Sequence, residues 1–391
     1  MSPHPSFLSL CDLAGRTRYP APRAATLGAI FFRMRRKVTI VVGAGSTLCD
    51  ATNRSQRKRP PLDRGFFRSC GDLGILEQYW INGYLKNHYG IDPTAEEHDS
   101  LERVMAVVYA DINNPRLEAN AVRAFRSIIK LFNSRIAETT NDLNPTNRNS
   151  LYRIIAKKLK EGVKPRDLTI VTFNQDLQIE KVLHKLQSTK RYSSYGDIFC
   201  FPNCYRISDV QSRLTYPPKG SKAFPKCAVH ESGICVLKLH GSLNWFSSHT
   251  SPRVPKKAIL NSTKEFNVTP RWEIPVGMGF KKNKRTTYTF PLIVPPVNHK
   301  AAILHRDLHP IWSTAERNLR ESEEIVVFGY SCPPTDFESA NLLRRISNSG
   351  KDPSEFSVID PNPSVFQRFV EVTNLDHLSY YRSAESYLEK G

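Results

Sequence analysis

Two polar motifs in the middle of the chain carry side chains that can transfer protons and bind hydroxyl groups. Asn174-Gln175-Asp176 supplies an amide and a carboxylate, which hydrogen-bond readily to sugar hydroxyls. His240-Gly241 supplies an imidazole that exchanges a proton near neutral pH, beside a glycine that leaves room for a substrate. Each motif also has a structural interpretation, because Asn and Asp cap helices and a lone histidine often belongs to a core.

A third motif near the start of the chain is typical of a turn that binds an anion, since glycines let backbone N–H groups approach a phosphate closely. Its residues are Gly43, Ala44, Gly45, Ser46 and Thr47. It is neither the full dinucleotide-binding glycine fingerprint nor a P-loop, because no Gly-Lys-Ser/Thr follows. A tight turn that binds nothing is the alternative interpretation.

Each of these motifs follows a short apolar run that predicts a buried β-strand, and two further runs end similarly, at Gly329-Tyr330-Ser331 and at Asp360. The five runs are Val38–Val42, Leu168–Phe173, Val236–Leu239, Ile325–Phe328 and Phe356–Ile359. Nearly continuous apolar strands are typical of parallel sheets buried on both faces. Helical spacing between them, as over 151–159, predicts an α/β fold: a Rossmann-like, doubly wound parallel sheet with helical and loop insertions.

The sheet predicts where the polar motifs meet. In a doubly wound sheet, ligands bind in the crevice outside the carboxyl ends of the strands. We therefore expect the motifs that follow the five strands to converge and to form a nucleotide-sized pocket at one edge of the sheet.

The rest of the chain is organised around this sheet. Residues 37–391 are expected to form one catalytic domain, after a basic N-terminal extension over 1–36 that need not be ordered. Met34 is an alternative natural start, directly before the first strand. Helical spacing predicts a helical insertion over about 66–165. Segments rich in Pro, Ser and Lys predict irregular insertions over about 192–233 and 247–290.

Charge and cysteine content indicate the cellular setting. The chain has 56 Lys and Arg against 37 Asp and Glu, a formal net charge of +19, which favours contact with a polyanion such as nucleic acid. A solvated basic face or an acidic protein partner explains the same numbers. Eight scattered cysteines suit a reducing compartment. No apolar run approaches the roughly 18 residues of a membrane span, so a cytoplasmic protein is expected.

The cysteines nearest to a metal-binding pattern form a C-x3-C and a C-x7-C pair, at Cys200, Cys204, Cys227 and Cys235. This spacing differs from the two C-x-x-C pairs that indicate a zinc site. Buried or free thiols are therefore expected, and no metal is expected.

Taken in order, the motifs at the strand ends resemble the sirtuin superfamily. Two longer segments, Leu239–Trp245 and Phe328–Phe337, resemble specifically the sirtuin-like NADase branch of bacterial antiphage defence systems. The resemblance extends from about Lys37 to the C-terminus and implies a domain that binds NAD+.

The resemblance implies a role for each motif. Asn174 would orient the nicotinamide ribose and an attacking water, Asp176 would brace that loop, and His240 would act as the base. The Gly43–Thr47 turn would hold the phosphates of NAD+. The adenosine end would be lined by Gly329, Ser331 and Asp360. Because scission of the glycosidic bond passes through an oxocarbenium-like ribose, such a site must position water and stabilise positive charge.

Two departures separate the chain from the protein deacetylases of the superfamily. Deacetylases carry Gly-Ile-Pro-Asp-Phe-Arg after the glycine turn, whereas the run here is Arg59–Arg64, RPPLDR, which leaves the role of Asp63 open. Deacetylases also carry a zinc module with two C-x-x-C pairs after the catalytic histidine, whereas Cys332 is the one cysteine beyond His240. An acyl-lysine substrate is therefore disfavoured, and water is the expected nucleophile.

The sequence thus predicts an NAD+ hydrolase that releases nicotinamide and ADP-ribose. The resemblance further implies an antiphage effector that depletes NAD+ and forms a homo-oligomer with a HerA-type ATPase partner. Two other classes stay open: an NAD-dependent protein deacylase or ADP-ribosyltransferase, and a non-catalytic adaptor that senses NAD+ or ADP-ribose or binds nucleic acid.

Overall fold

The computed structural model describes most of the chain from Arg36 onward. The described residues are 36–72, 76, 80–95, 100–112, 114–147, 150–201, 203–205, 233–247, 258–260, 290–294, 308–347 and 352–390. The predicted N-terminal extension, apart from Arg36, lies outside them. Most of both expected irregular insertions and Cys227 lie outside them as well.

The central sheet is built from the strands that the apolar runs predict. In chain order the strands are β1 (Val38–Val42), β2 (Leu168–Thr172), β3 (Cys235–Lys238), β4 (Gly241–Ser247), β5 (Ala258–Leu260), β6 (Phe290–Ile293), β7 (Glu324–Phe328), β8 (Glu355–Ile359) and β9 (Leu378–Tyr381). Six of them form one parallel sheet in the order β3-β2-β1-β7-β8-β9. The predicted α/β class with a doubly wound parallel sheet is confirmed.

Two parts of the strand pattern were not predicted. β9 lies at the edge of the sheet, and its four residues are half-buried, so it lacks the continuous apolar run of its neighbours. β4, β5 and β6 form a small antiparallel sheet in the order β5-β4-β6. β4 begins at Gly241, directly after the candidate histidine, so this small sheet continues the chain out of the central one.

The central strands end in register. Val42 pairs with Thr172 on one side and with Phe328 on the other. Thr172 pairs in turn with Lys238, and Phe328 pairs with Ile359. Because parallel strands that end together present their carboxyl ends at one edge, the turns after β1, β2, β3, β7 and β8 emerge side by side.

Helices connect the strands and cover the sheet. In chain order they are α1 (Ala44–Asp50), α2 (Phe66–Gly71), α3 (Trp80–Tyr89), α4 (Leu101–Ile112), α5 (Glu118–Thr140), α6 (Leu151–Lys160), α7 (Gln178–Ser188), α8 (His309–Glu321), α9 (Phe337–Ser347), α10 (Pro363–Thr373) and α11 (Ala384–Glu389). Within the described ranges, no helix is long and apolar enough to cross a membrane.

The buried apolar side chains form two large clusters. The first surrounds the central sheet and includes one face of α6, with Ile154, Ile155 and Leu159 fully buried. The second lies among α2, α3, α4 and α5, with Phe67 and Ile128 fully buried. Burial of this kind contributes roughly 1.5–3 kcal/mol per large side chain, so the α2–α5 segment has a core of its own.

A half-buried lysine ties the α2–α5 segment to the central sheet. Lys181 of α7 donates hydrogen bonds to the backbone oxygens of Thr140 and Asn141 at the end of α5. These carbonyls have no hydrogen-bond partner within the helix, and the helix dipole stabilises a cation at this C-terminal end. Burial lowers the pKa of Lys181 to about 8.

Candidate active site at the carboxyl ends of the strands

The turn after β1 packs directly on the turn after β7. Gly43 donates its backbone N–H to Phe328 O at 3.1 Å, and Gly45 donates to Gly329 O at 2.9 Å. A Cβ on Gly43 would lie 2.5 Å from both Gly329 O and Tyr330 Cα, closer than carbon atoms can approach. The glycine at position 43 therefore allows two backbone turns to touch.

This packing uses part of the predicted phosphate cradle. The N–H of Gly45 is bonded to Gly329 O, and the N–H of Ser46 is bonded to Gly43 O at 3.0 Å. Ser46 and Thr47 are buried, whereas Ala44 is exposed. The N–H groups of Gly45 and Ser46 thus hold the turn in shape, and a role of the turn in binding phosphate stays a prediction.

Asn174 follows β2 and reaches across to the turn after β1. Its side chain is buried, and Nδ2 donates to Gly43 O at 2.9 Å and to Thr47 Oγ1 at 3.1 Å. Its backbone N–H donates to Thr172 Oγ1 at 3.0 Å. No hydrogen bond from the described part of the chain ends on Oδ1. The amide is therefore fixed by its nitrogen, and its oxygen is left to accept from a ligand or a water.

Asp176 holds the same loop together. Its Oδ2 accepts from Thr47 Oγ1 at 2.7 Å, and its Oδ1 accepts from the backbone N–H of Gln178 at 2.9 Å, at the start of α7. Its backbone oxygen accepts from Lys238 Nζ. The contacts of Asp176 therefore join the ends of β1, β2 and β3.

A buried ion pair supports this loop from below. Lys238 of β3 and Glu180 of α7 are fully buried, with Nζ 3.0 Å from Oε1. Tyr205 donates to the same Oε1 at 2.7 Å. Burial and the nearby Glu180 charge raise the pKa of Tyr205 well above its usual range, so its hydroxyl stays a donor. These contacts neutralise two charges that would otherwise be costly to bury.

His240 follows β3 in a largely apolar surrounding. It is 6% exposed, and its ring centroid lies 5.3 Å from that of Phe173 and 6.2 Å from that of Trp312. Nε2 lies 3.9 Å from Oδ2 of Asp336. At this distance the two side chains interact through charge and not through a direct hydrogen bond. The backbone around His240 is held by two donors, because Trp312 Nε1 donates to Leu239 O at 3.0 Å and the backbone N–H of Val294, just after β6, donates to His240 O at 2.9 Å.

An aromatic pair connects the ends of β2 and β7 above β1. The rings of Phe173 and Tyr330 stack with centroids 4.0 Å apart at 22°. The Tyr330 hydroxyl donates to Asp336 Oδ2 at 3.1 Å. Burial and the Asp336 charge raise the pKa of Tyr330 well above its usual range. The Phe173 ring thus contacts both Tyr330 and His240.

The residues predicted for the adenosine end lie on the other side of β1. Gly329 is at the turn after β7 with a φ of +62°, a conformation that favours glycine, and Ser331 is exposed. Asp360 follows β8 and is half-buried, and its Oδ1 accepts from the backbone N–H of Asn362 at 2.9 Å. Burial raises the pKa of Asp360, and burial together with the charges of Asp50 and Asp360 raises the pKa of the Cys49 thiol of α1 to about 11. Asp360 therefore faces α1 and lies farther along the edge than the Asn174 and His240 group.

Several residues of the site had no predicted role. Phe173 and Tyr330 directly follow or nearly follow a strand, so their position was the available signal, whereas Asp336 lies in the loop between β7 and α9. Trp312 comes from α8, where nothing in the local sequence marks it.

Asp50 is a further unpredicted group, in the last turn of α1. Gln178 Nε2 donates to Asp50 Oδ2 at 2.8 Å. Burial raises the pKa of Asp50 to about 7, and the charge of Asp176 adds to the effect. A carboxyl group that titrates near neutral pH therefore lies under the candidate site.

Two open questions from the sequence are answered by the contacts. Asp63 accepts hydrogen bonds from Ser100 Oγ at 2.9 Å and from the backbone N–H of Glu102 at 2.8 Å, so it caps α4. Cys200 is disulfide-bonded, contrary to the expectation of thiols, whereas Cys204 and Cys235 are buried thiols. Within the described ranges, no group of three or more His, Cys, Asp or Glu side chains is placed to hold a metal ion.

Comparison with known proteins gives matches among solved structures. No protein-family model matches the chain, and no curated protein matches it. A Sir2 homologue mutant in complex with 2′-O-acetyl-ADP-ribose has 16% identity and a TM-score of 0.43, with 90% of this chain and 89% of that chain covered. A Sir2 homologue mutant in complex with ADP-ribose has 16% identity and a TM-score of 0.41, with the same coverage. Sir2Tm bound to a propionylated peptide has 11% identity and a TM-score of 0.36, with 92% of each chain covered.

Proposed function

We propose that the protein hydrolyses NAD+ to nicotinamide and ADP-ribose at the carboxyl ends of β1, β2, β3 and β7. The observation that carries this proposal is that Asn174 and His240 follow two neighbouring strands at one edge of the sheet. Thr172 of β2 pairs with Lys238 of β3, so Asn174 and His240 each lie two residues beyond a paired position. Both are buried, and the Phe173 ring lies 5.3 Å from the imidazole centroid. The order of the motifs along the chain, which resembles the sirtuin superfamily, supports NAD+ as the substrate.

In the proposed reaction, a water oxygen bonds to the anomeric carbon of the nicotinamide ribose. The bond to the nicotinamide nitrogen breaks, and its electron pair leaves with nicotinamide. Asn174 contributes a preorganised acceptor, because Nδ2 is already held by Gly43 O and Thr47 Oγ1 and Oδ1 can accept from a ribose hydroxyl or the water. The proton released by the water passes to His240. Buried carboxylates at Asp176 and Asp336 favour the positive charge that develops on the ribose.

The test is the conversion of NAD+ by the purified protein. We expect nicotinamide and ADP-ribose in equal amounts without any added acceptor. Asn174→Ala and His240→Ala are each expected to lower kcat/KM at least about a hundredfold, because each removes a group that acts in the chemical step. His88→Ala is the matched control, since His88 is an exposed histidine of α3. Undiminished activity in both site variants would overturn the proposal, provided that their circular dichroism matches the wild type.

The same assay separates hydrolysis from the alternatives. Nicotinamide release that depends strictly on an acyl-lysine peptide or an acceptor protein would identify a deacylase or ADP-ribosyltransferase. Binding of NAD+ or ADP-ribose without turnover would identify a sensor. DNA binding that weakens steeply with salt, again without turnover, would identify a nucleic-acid adaptor that uses the +19 charge.

We also propose a biological setting, supported by the motif resemblance of Leu239–Trp245 and Phe328–Phe337. The protein would act in the cytoplasm as an antiphage effector that depletes NAD+, as a homo-oligomer with a HerA-type ATPase partner. In cells that carry both proteins, infection should lower NAD+ with wild type and not with Asn174→Ala. Light scattering should give a mass that is a multiple of the chain mass. Unchanged NAD+ or a monomer would contradict the corresponding part.

A further inference from the structure

We propose that Asp336 is a positioning residue for His240. The Asp336 carboxylate orients the imidazole and stabilises its protonated form. The catalytic meaning of this inference rests on the proposed function, whereas the physical coupling of the two side chains does not. The structure places Asp336 Oδ2 3.9 Å from His240 Nε2, with both side chains buried. In a site of low dielectric constant, a carboxylate at that distance acts strongly on a neighbouring imidazolium.

Asp336 is itself held firmly enough to orient another group. Its Oδ2 accepts from the Tyr330 hydroxyl at 3.1 Å, and its Oδ1 accepts from the backbone N–H of Ser339 at 3.4 Å, in the first turn of α9. The Tyr330 ring is fixed by its stack on Phe173. The preceding residue, Thr335, donates to Glu102 of α4 at 2.9 Å. The carboxylate therefore has a defined direction before any substrate binds.

Among the described residues around His240, the carboxylate of Asp336 is the dominant charge. Phe173 faces the ring from the end of β2 and Trp312 faces it from α8, and neither carries a charge. Lys238 of β3 is paired with Glu180 at 3.0 Å. Burial and the Asp336 charge raise the pKa of Cys332 to about 12, so this thiol stays neutral.

Asp176 and Tyr330 are two further titratable groups of the described residues near this region. The Asp176 carboxylate accepts from Thr47 and from the start of α7, on the side of the loop toward β1. The Tyr330 hydroxyl is a neutral donor to Asp336. Protonation of His240 is therefore coupled first to Asp336, which the hydroxyl of Tyr330 modulates.

Two substitutions separate this coupling from a structural role. Asp336→Asn removes the charge and keeps a side chain that can cap α9. Tyr330→Phe removes the hydroxyl and keeps the stack on Phe173. Tyr330→Phe removes the hydrogen bond to Asp336, whereas Asp336→Asn can keep a hydrogen bond to the Tyr330 hydroxyl, so the two variants have opposite consequences for the imidazolium. Loss of the carboxylate destabilises it, whereas loss of the donor leaves a more basic carboxylate that stabilises it further.

The experiment is an NMR titration of the full chain labelled with 15N histidine, with the His240 signal assigned by its loss in His240→Gln. We expect Asp336→Asn to lower the pKa of His240 by about one unit or more, and Tyr330→Phe to raise it by a smaller amount. An unchanged value in Asp336→Asn, or a shift in the same direction in both variants, would overturn the proposal. If Asp336→Asn does not fold, Tyr330→Phe decides, because an unchanged or lowered pKa there also contradicts the coupling.

Activity gives a second readout. The acid limb of the kcat/KM profile for NAD+ should move to lower pH in Asp336→Asn, in parallel with the NMR value, and the plateau should fall about tenfold or more. The titration requires no turnover, so the two proposals fail separately. A chain that does not hydrolyse NAD+ refutes the proposed function, while the titration still decides the role of Asp336.

Discussion

The buried pair of Asp50 and Gln178 predicts a pH-dependent stability that one substitution should remove. Gln178 Nε2 donates to Asp50 Oδ2 at 2.8 Å. The other two oxygens, Asp50 Oδ1 and Gln178 Oε1, are buried and have no hydrogen-bond partner in the described part of the chain. These two oxygens are both acceptors, so they cannot hydrogen-bond to each other unless one of them carries a proton. A protonated Asp50 supplies that proton, which agrees with the raised pKa of this carboxyl.

The magnitude follows from the pKa of Asp50, which burial raises from about 4 to about 7. The folded protein holds a proton in this pH range that the unfolded chain has lost, so the free energy of unfolding falls as pH rises from about 4 to about 7. Between pH 5 and pH 8 the loss from this group is about 3 kcal/mol. Asp50→Asn does not titrate, and its amide can donate to Gln178 Oε1 at every pH.

The assay is urea unfolding at pH 5 and pH 8. We expect Asp50→Asn to gain about 3 kcal/mol on wild type between the two pH values, so that the variant is the more stable protein at pH 8. Asp376→Asn is the matched control, because Asp376 is exposed, and it should track wild type. A stability difference between Asp50→Asn and wild type that is the same at both pH values would refute the reasoning.

Three further substitutions test the site. Gly329→Ala should lower the free energy of unfolding by about 3 kcal/mol, because the added Cβ would lie 2.3 Å from a backbone nitrogen of α1. Gly83→Ala, with open space around it, should not destabilise the protein, and thermal unfolding measures both variants. Lys238→Met should lower the free energy of unfolding by about 3–5 kcal/mol, because Glu180 is left buried without its partner. Adding Glu180→Gln should restore much of that stability in urea unfolding, and equal stability of the single and double variants would contradict this. Thr47→Val should lower kcat/KM for NAD+ about tenfold without unfolding the chain, because the Thr47 hydroxyl links Asn174 to Asp176. Unchanged kinetics would show that this link does not contribute to activity.

The central sheet was predictable from sequence for a physical reason. Strands buried on both faces require continuous apolar runs, and Val38–Val42 and Leu168–Thr172 are such runs. β9 was missed because an edge strand buries less, and its residues are half-buried. The meeting of Asn174 with the turn after β1 also followed from sequence, since parallel strands that end in register bring their turns to one edge.

The finer contacts of the site could not be predicted in the same way. Asp336 lies 96 positions from His240, and their approach depends on the path of the loop after β7. Trp312 is placed by the packing of α8, and Asp50 by the inward face of a short helix. These contacts depend on side-chain packing between distant segments, which apolar periodicity does not encode.

The central claim is that Asn174 and His240 act as one catalytic unit on NAD+. A double-mutant cycle on nicotinamide release tests it most directly, with kcat/KM measured for wild type, Asn174→Ala, His240→Ala and the double variant. Residues that serve one chemical step are strongly non-additive, so each single variant and the double variant should fall to about the same residual rate. Losses that multiply in the double variant, or full activity in either single variant, would contradict the account.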